Sequence, residues 1–287
     1  MGQILVPELP GRLEGLCKRG AGARTADRVA VGRDAPGIER LAAHLHGRAF
    51  APHRHDIYAI GITLTGVQTF YYRGEQWHCL PGQCHVLHPD ELHDGAAGTE
   101  DGFGYRILYL DPSLVQRALA GRALPFVAEP VVDAVRLPGE LIAAVTDIDC
   151  EIDPLAATEL AVAVGDALSA LAGSSKPGSG RLDLNALDRV RDAIAADPAR
   201  RHALTELERL SGLDRWTLAR GFRAAFGTSP TRFRTMRRLD RVRRQIGAGV
   251  GLAEAAIASG FADQAHMTRH FKRAYGITPA RWSAIAS

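Results

Sequence analysis

The chain has 287 residues, a hydrophobic content of 46% and a formal net charge of +3, which is enough for a sizeable core divided between two domains. No apolar run approaches the roughly 18 residues of a membrane span, and the first thirty residues contain no apolar stretch followed by a small-residue cleavage site. The four cysteines form no C-x-x-C pair, so we expect a cytoplasmic protein with reduced cysteines and no membrane partner.

The charge is distributed unequally along the chain. Residues 181–287 contain 20 basic and 10 acidic side chains, whereas residues 1–180 contain 15 basic and 22 acidic ones. A basic domain of this kind favours binding to a polyanion, because lysine and arginine side chains that neutralise phosphates release condensed counterions. A solvated charged surface is the alternative that charge alone leaves open.

The segment from 50 to 110 has the pattern of short strands separated by tight turns. The predicted strands are 57–64, 68–72, 75–80, 83–88 and 105–110, with turns at Arg73-Gly74 and Pro81-Gly82. Several short strands with closely spaced turns favour an antiparallel β-barrel of the jelly-roll kind.

From about 139 to 172 the pattern becomes helical. Leu160, Val164, Leu168 and Leu171 recur at helical spacing and form one apolar stripe. Two interpretations of the stripe stay open, which are packing against the barrel and a dimer seam.

Residues 173–182 are the predicted linker between an N-terminal domain, 1–172, and a C-terminal domain, 183–287. The run GSSKPGSG over 173–180 has too little apolar surface to order itself. It also lies where the sign of the net charge changes.

The basic C-terminal half contains an internal repeat. The segment RGFRAAFGTSP, 220–230, aligns with RHFKRAYGITP, 269–279, and Ser211-Gly212-Leu213 aligns with Ser259-Gly260-Phe261. Two copies of one supersecondary unit explain both alignments.

Each copy is predicted to form a helix, a tight turn and a second helix, over about 204–226 and 252–275. In the first copy, Thr205-x-x-Glu208 is typical of a capping box that opens a helix. Gly212 suits a left-handed helix end, and Asp214 suits the cap of the next helix.

The second helix of each copy is amphipathic. Leu218 and Phe222 share one face in the first copy, as Met267 and Phe271 do in the second. The opposite face of a helix anchored in this way can enter the major groove of DNA. The outward side chains include Trp216, Arg220, Arg223, His266, Arg269 and Arg273. Two ordinary helical hairpins with surface arginines are the alternative.

A single long helix is predicted between the copies, from Pro230 to Ala248. It contains seven arginines, which are too many for one stripe facing a groove. We expect some of them to contact phosphate and the others to be solvated.

The run GFADQAHMTRHFKRAYGITP, 260–279, resembles the signature of AraC/XylS-type transcription regulators, and the similarity extends over about 185–285. The resemblance implies two helix-turn-helix subdomains joined by a rigid helix, with both reader helices in successive major grooves. By position it assigns base contacts to Trp216, Thr217, Arg220, Gln264, His266 and Arg269. The full predicted DNA-binding set adds Arg215, Arg223 and Arg273.

The N-terminal half resembles the cupin-type effector domain of the same family, through His53-x-His55, Gly66, Pro81-Gly82 and His93. In metal-binding cupins the three histidines would be ligands, together with a glutamate where this chain has Ala59. The fold class implied is α+β, with an antiparallel cupin-like barrel and trailing helices before an all-α domain.

The barrel histidines have two interpretations. Histidines at i and i+2 of a strand project to one face, so His53, His55 and His93 have the geometry for a shared metal. We instead predict contacts to a small-molecule effector and no cofactor, because imidazoles in a polar cavity also serve as hydrogen-bond partners. The predicted effector contacts are His53, His55, Tyr58, Tyr72, Trp77, His93 and Arg106, the last favouring an anionic ligand.

These observations predict a transcription regulator that binds double-stranded DNA and a small-molecule effector, forms a homodimer and contacts RNA polymerase. It is not expected to be an enzyme. Two alternatives stay open. One is a cupin-type metal-dependent enzyme tethered to DNA, and the other is a ligand-independent regulator whose barrel serves only in dimerisation.

Overall fold

The computed structural model describes residues 27–173 and 181–286, which contain ten strands and ten α-helices. The strands are β1 Arg28–Val31, β2 Ile38–Leu45, β3 Arg48–His53, β4 Tyr58–Gly66, β5 Gln68–Tyr72, β6 Glu75–Cys79, β7 Gln83–Leu87, β8 His93–Ala97, β9 Phe103–Leu110 and β10 Val131–Asp133. The helices are α1 Pro112–Ala118, α2 Gly139–Thr146, α3 Pro154–Ala172, α4 Leu184–Ala196, α5 Leu204–Ser211, α6 Arg215–Phe226, α7 Pro230–Gly247, α8 Leu252–Ala258, α9 Gln264–Tyr275 and α10 Pro279–Ala286. Most of the predicted linker, 174–180, lies outside the described residues, so the domain boundary stays a prediction.

The strands form two antiparallel sheets that face each other. The larger sheet has the order β1-β2-β9-β4-β7-β10, and the smaller has the order β3-β8-β5-β6. Buried side chains of both sheets meet in one cluster between them, including Leu45 and Tyr105 from the larger sheet and Phe70 from the smaller. Over the described part of the chain no ladder joins the sheets, so they form a cupin-like barrel that does not close.

The alternation along β4 separates two cores. Tyr58, Ile60 and Ile62 lie in the core beneath α1, α2 and α3, whereas Ala59 faces the barrel interior. Successive side chains of a strand point to opposite faces, so the larger sheet is covered on both sides. This arrangement confirms the predicted α+β class.

The predicted helical region from 139 to 172 is two helices, α2 and α3. Leu160, Val164 and Leu168 of α3 are buried in the core against the larger sheet. The stripe therefore packs on the barrel, and the interpretation of these residues as a dimer seam was wrong. A hydrophobic period of 3.6 residues shows which face of a helix is apolar, but it does not show which surface covers that face.

Helix α3 is also long and apolar enough by composition to cross a membrane, with a mean hydropathy of 1.5 over 18 residues. This candidate does not contradict the sequence expectation, because Glu159 and Asp166 interrupt the apolar residues of the helix. The core helix of a soluble protein passes the same test, and the burial of Leu160, Val164 and Leu168 beside the larger sheet accounts for the apolar character.

Helices α4 to α10 form two small cores, each containing one predicted helix-turn-helix unit. The first core joins α4, α5 and α6 with Phe233 at the start of α7. The second joins the rest of α7 with α8, α9 and Trp282 of α10. Both predicted units and the predicted connecting helix are confirmed, since α5–α6 and α8–α9 flank α7.

The turn between α5 and α6 forms as predicted, but the helix cap predicted before it does not. Gly212 has the expected left-handed conformation (φ 71°), and the Asp214 carboxylate accepts from the N–H groups of Trp216 and Thr217. The predicted capping box is absent, because α5 begins at Leu204 with Ala203 as its cap. Glu208 instead accepts from the Arg215 N–H at 2.9 Å, so it links the two helices of the unit.

We predict that Gly61→Ala destabilises the barrel by about 1–3 kcal/mol, as expected for overpacking. A Cβ at this position would lie 2.3 Å from Cε1 of His85. Gly139→Ala is the control, because a Cβ there meets nothing within 4 Å. Chemical denaturation followed by circular dichroism measures both, and adding His85→Ala should relieve the Gly61→Ala loss. Equal stability of the two glycine variants would contradict the predicted clash.

Candidate effector cavity and DNA-reading helices

A cavity of about 440 Å³ lies between the two sheets of the barrel. Apolar side chains of the larger sheet, among them Leu45 and Ile107, line one wall. The C-terminal domain completes the lining with Arg243, Tyr275, Ile277, Arg281 and Trp282. A molecule bound in this cavity would therefore contact both domains.

Three buried histidines line the cavity. His53 ends β3 and His93 begins β8, where the strand register places them directly opposite each other. His55 follows two residues after His53, and its ring centroid lies 4.8 Å from that of His93. The two predicted parts of the pocket, His53-x-His55 and His93, are thus brought together by the pairing of β3 with β8.

The protonation of these histidines follows from their surroundings. Burial lowers the pKa of His53 to about 4 and that of His55 to about 3, and it places the pKa of His93 well below its usual value. The rings are therefore neutral at pH 7. Each Nδ1 lies 2.9 Å from a backbone carbonyl oxygen, belonging to Ala51, Ile57 and Glu91 respectively. Because a carbonyl only accepts, each Nδ1 donates and each Nε2 retains its lone pair.

Four other side chains predicted for the pocket do not line this cavity, namely Tyr58, Tyr72, Trp77 and Arg106. Arg106 lies between Tyr105 and Ile107 of β9, which both face the cavity, so strand alternation directs it to the opposite face. Tyr58 packs in the core under the helices, and its ring lies 5.3 Å from that of His88. Tyr72 and Trp77 pack among the side chains between the sheets without reaching the cavity.

The sequence analysis missed the cavity residues of the C-terminal domain. The sequence analysis assigned neither Tyr275 nor Trp282 to the pocket. Nothing in the local sequence of either residue points to the barrel, because the contact depends on how the two domains dock. Tyr275 has an apolar ring and a polar hydroxyl, and in this position the hydroxyl donates to Asp240 at 3.1 Å.

The end of α9 docks directly on β3. The N–H of Ala51 donates to the carbonyl of Gly276 at 3.2 Å, and the N–H of Arg54 donates to the carbonyl of Arg273 at 3.0 Å. Gly276 has a φ of 70°, and a Cβ there would lie 2.8 Å from both the Ala51 oxygen and Nδ1 of His53. The second reader helix therefore ends against the strand that carries the first cavity histidine.

Ion pairs between the barrel and the C-terminal domain surround this contact. Asp56 is 3.0 Å from Arg237 and is almost fully buried. Asp90 lies 3.2 Å from Arg232. At the cavity itself, Glu39 lies 2.8 Å from Arg243. Each acid comes from the barrel domain and each guanidinium from α7, so α7 adds three ion pairs to the backbone contacts that α9 makes with the barrel.

The predicted role of the α7 arginines is therefore corrected. Five of the seven contact other parts of the protein rather than solvent. Arg232, Arg237 and Arg243 pair with barrel acids, Arg234 donates to the carbonyls of 198–200, and Arg238 donates to those of Ser259 and Gly260. Only Arg241 and Arg244 have no partner among the residues that the structure describes. Composition could not separate these roles, because an arginine that binds phosphate and one that binds a carbonyl look alike in sequence.

The first reader helix, α6, presents part of its predicted set to solvent. Trp216 is 69% exposed, and Arg220 is exposed on the same side. The Thr217 hydroxyl donates to the Asp214 carboxylate at 2.6 Å, and Nε of Arg215 is 3.4 Å from Glu208.

Arg223 lies at the end of α6 that faces the barrel. Its guanidinium is 3.7 Å from the Asp90 carboxylate, although its side chain is still largely exposed. The neighbouring Thr228 hydroxyl donates to the same carboxylate at 3.2 Å. Asp90 therefore competes with any phosphate for Arg223 in this arrangement of the domains.

The second reader helix, α9, has Gln264, Arg269 and Arg273 exposed. His266 is half-buried, and its Nε2 lies 3.0 Å from Nε2 of His270. Asp263 caps the helix by accepting from the His266 N–H. The face of α9 that the repeat predicts to point outward is therefore exposed, except for the half-buried His266 ring, which contacts His270.

Comparison with known families accounts for most of the chain. A family described as an AraC-like ligand binding domain matches residues 35–177, and a helix-turn-helix domain family matches residues 207–284. The chain is 24% identical to YbfI of Bacillus subtilis (strain 168), which is described as an HTH-type transcriptional regulator. That alignment covers 79% of this chain and 88% of YbfI.

Among solved structures, the chain resembles ToxT from Vibrio cholerae. One ToxT structure superimposes with a TM-score of 0.62 at 12% identity, covering 87% of this chain and 98% of ToxT. A ToxT structure with a bound unsaturated fatty acid superimposes with a TM-score of 0.63 at 12% identity, covering 88% and 97% of the two chains. At this identity the likeness establishes the two-domain fold.

We predict that Gly276→Ala loosens the docking of α9 on β3, whereas Gly212→Ala does not. Both glycines end helices at a φ near 70°, so an alanine at either costs about 1–2 kcal/mol of backbone strain. Only the Cβ at Gly276 would also collide with β3, because Gly212 has nothing within 4 Å. Thermal unfolding and the radius of gyration from X-ray scattering measure the difference. An equal effect of the two substitutions on both quantities would argue against the docking contact.

Proposed function

The chain belongs to the AraC family of transcription regulators, and on that premise we propose that its effector occupies the cavity between the sheets and controls the docking of α9. As a member of this family it binds DNA through its helix-turn-helix domain and senses a small molecule through its N-terminal domain. The observation that carries the proposal is the shared lining of the cavity. Tyr275 of α9 and Trp282 of α10 line the same cavity as His53 of the barrel.

The cavity supports a mostly apolar effector with one polar or anionic group. Its volume of about 440 Å³ lies in the range of small-molecule pockets, which combine apolar walls with few polar groups. Three arginines line it. Arg40 donates to the backbone carbonyls of Arg33 and Asp147, whereas Arg243 lies beside Glu39 and Arg281 beside Asp27. A carboxylate is a good partner for Arg243 or Arg281, because guanidinium binds it in a bidentate manner. The fatty acid bound to ToxT belongs to the same chemical class.

Such an effector would be coupled to the domain arrangement. Its carboxylate reaches Arg243 in competition with Glu39, so binding weakens or replaces one of the pairs between α7 and the barrel. An effector shifts an equilibrium between two arrangements only by its difference in affinity for them. A ligand that contacts both walls of the cavity has such a difference, since one wall moves away when the domains separate.

For DNA recognition we propose Arg220 of α6 and Arg269 of α9 as the main base-reading residues. Both are exposed on the faces opposite the buried Phe222 and Phe271, and arginine pairs bidentately with guanine in the major groove. Trp216, Thr217 and Gln264 stand beside them as further candidates. Arg223 joins them only after leaving Asp90, and His266 only after leaving His270.

The finer assignments of partners and location are also proposals. We place the protein in the cytoplasm as a homodimer that acts with RNA polymerase and has no enzymatic activity, which agrees with its regulator relatives. The exposed side of α3, with Leu155 and Val162, is the part of that helix left for a dimer contact. Size-exclusion chromatography with light scattering tests the dimer, and a Leu155→Asp variant should shift it towards monomer.

We predict that Arg269→Ala weakens specific DNA binding by about 1–3 kcal/mol and relaxes the preference at one base pair. The operator is first selected from genomic fragments with purified protein, and binding is measured by fluorescence anisotropy. Arg117→Ala, on the exposed side of α1, is the control with the same loss of charge. Equal losses in the two variants would refute base reading by Arg269. Affinity should also fall by about 0.9 log units per tenfold salt for each phosphate contacted.

We predict that a fatty acid or another apolar carboxylate raises the melting temperature of the protein, because a ligand specific for the native state stabilises it. The stabilisation is about 2.7 kcal/mol at 100 times Kd. Ala43→Phe should abolish it, since Ala43 lines the cavity. Ala42→Phe is the matched control on the other face of β2. If a broad carboxylate panel leaves the melting temperature unchanged, or if both variants respond equally, the cavity is not the effector site.

A further inference from the structure

The three cavity histidines share an unusual orientation. Among the residues that the structure describes, no donor faces Nε2 of His53, His55 or His93, whereas every Nδ1 is anchored to a carbonyl. The anchoring carbonyl lies two residues away in sequence in each case, so local backbone holds each ring in the same tautomer. Each Nε2 is therefore left as an acceptor for a ligand in the cavity that the three histidines line.

The arrangement matches the requirements of a metal ion. A histidine that binds a metal donates its other ring N–H to a carbonyl or carboxylate, which fixes the tautomer and the ring orientation. The three side chains each offer one nitrogen, and these nitrogens lie within 4.8 Å of one another. A metal ligand must be unprotonated, and the contact of each Nδ1 with a backbone carbonyl leaves Nε2 as the nitrogen that can bind the ion.

We propose that His53, His55 and His93 bind one divalent transition-metal ion of the zinc class through their three Nε2 atoms. Imidazole ligands suit Zn²⁺, Cu²⁺, Fe²⁺ and Ni²⁺ rather than Mg²⁺ or Ca²⁺. No carboxylate of the described chain joins the cluster, and Asp94 nearby accepts from the Tyr71 N–H at 2.7 Å. Three neutral ligands leave the ion its full positive charge and an open position towards the cavity, where water or an anion binds.

This site goes beyond the effector proposal and does not depend on it. A metal site requires only the barrel, whereas the effector proposal requires the shared cavity wall and DNA binding. A metal at this position would lie close to the end of α9, because His53 contacts the turn at Gly276. It would also provide an anion-binding group inside an otherwise mostly apolar cavity.

A pair of histidines on α9 could bind the same metals and sets the controls. His266 and His270 on α9 are separated by four residues, with their Nε2 atoms 3.0 Å apart. His266→Gln therefore tests whether bound metal sits on the reader helix. His78→Gln removes an exposed imidazole of β6 and serves as the matched control for histidine content.

The experiment uses untagged full-length protein, stripped with a chelator and titrated with Zn²⁺ by calorimetry and with Co²⁺ by visible absorption. We expect one ion per chain, an intense Co²⁺ spectrum of a site with fewer than six ligands, and displacement of Co²⁺ by Zn²⁺. His53→Gln and His93→Gln should each weaken binding by about 100-fold or more, since even the loss of a group that only orients a metal ligand costs about 10–100-fold. His78→Gln and His266→Gln should keep wild-type affinity.

Several results would overturn the assignment. Binding that is lost in His266→Gln but kept in His93→Gln places the metal on α9. Zn²⁺ affinity equal in wild type and in a folded His93→Gln variant, checked by circular dichroism, removes the ion from the barrel. If neither glutamine variant folds, the wild-type Co²⁺ spectrum decides, and only the weak absorption of six-coordinate Co²⁺ overturns the site. DNA binding is measured separately, so failure of the metal site leaves the regulator proposal intact.

Discussion

A buried carboxylate, Asp56, faces the Arg237 guanidinium of α7 across the boundary between the barrel and the C-terminal domain. Burial raises the pKa of Asp56 to about 7, and Arg237 opposes that rise. Neither charge is tolerable here alone, because removing one partner of a buried pair leaves the other uncompensated, at about 3–5 kcal/mol. The pair therefore specifies one docked position of α7. Since α7 also joins the two helix-turn-helix units, both reader helices are placed relative to the barrel by the same helix.

The docked position has a consequence for sensing. It brings Tyr275 and Trp282 to the wall of a cavity that the barrel alone leaves open, and it sets the end of α9 against β3. With the effector in the proposed cavity, ligand binding and DNA reading would both involve α9 rather than communicate over a distance. No chain of intermediate residues is then needed between the two sites, because the effector would act directly on the docking equilibrium of α9, the second reader helix.

Local signals predicted the helix-turn-helix units well. Gly212 and Asp214 act within one turn of chain, and a helix end or cap depends on few neighbours. The capping box at Thr205 failed because Glu208 serves the next helix instead, through the Arg215 N–H. In the cavity, His53 and His93 were recognised through the resemblance, whereas Tyr58 and Arg106 were misplaced. Strand alternation assigns faces only when the register and the covered side are known, and both are set by distant strands.

The sequence by itself determined the two domain types and the internal repeat. It also determined which helix faces point outward in the repeat and that the histidines belong to the barrel domain. Each of these depends on short-range periodicity or on motif spacing. Only the tertiary structure decided what the arginines of α7 do and which surface covers α3. It also decided that the two domains share one cavity. These features arise from contacts between residues far apart in sequence. A charged or apolar side chain carries the same local pattern whether its partner is DNA, solvent or another domain.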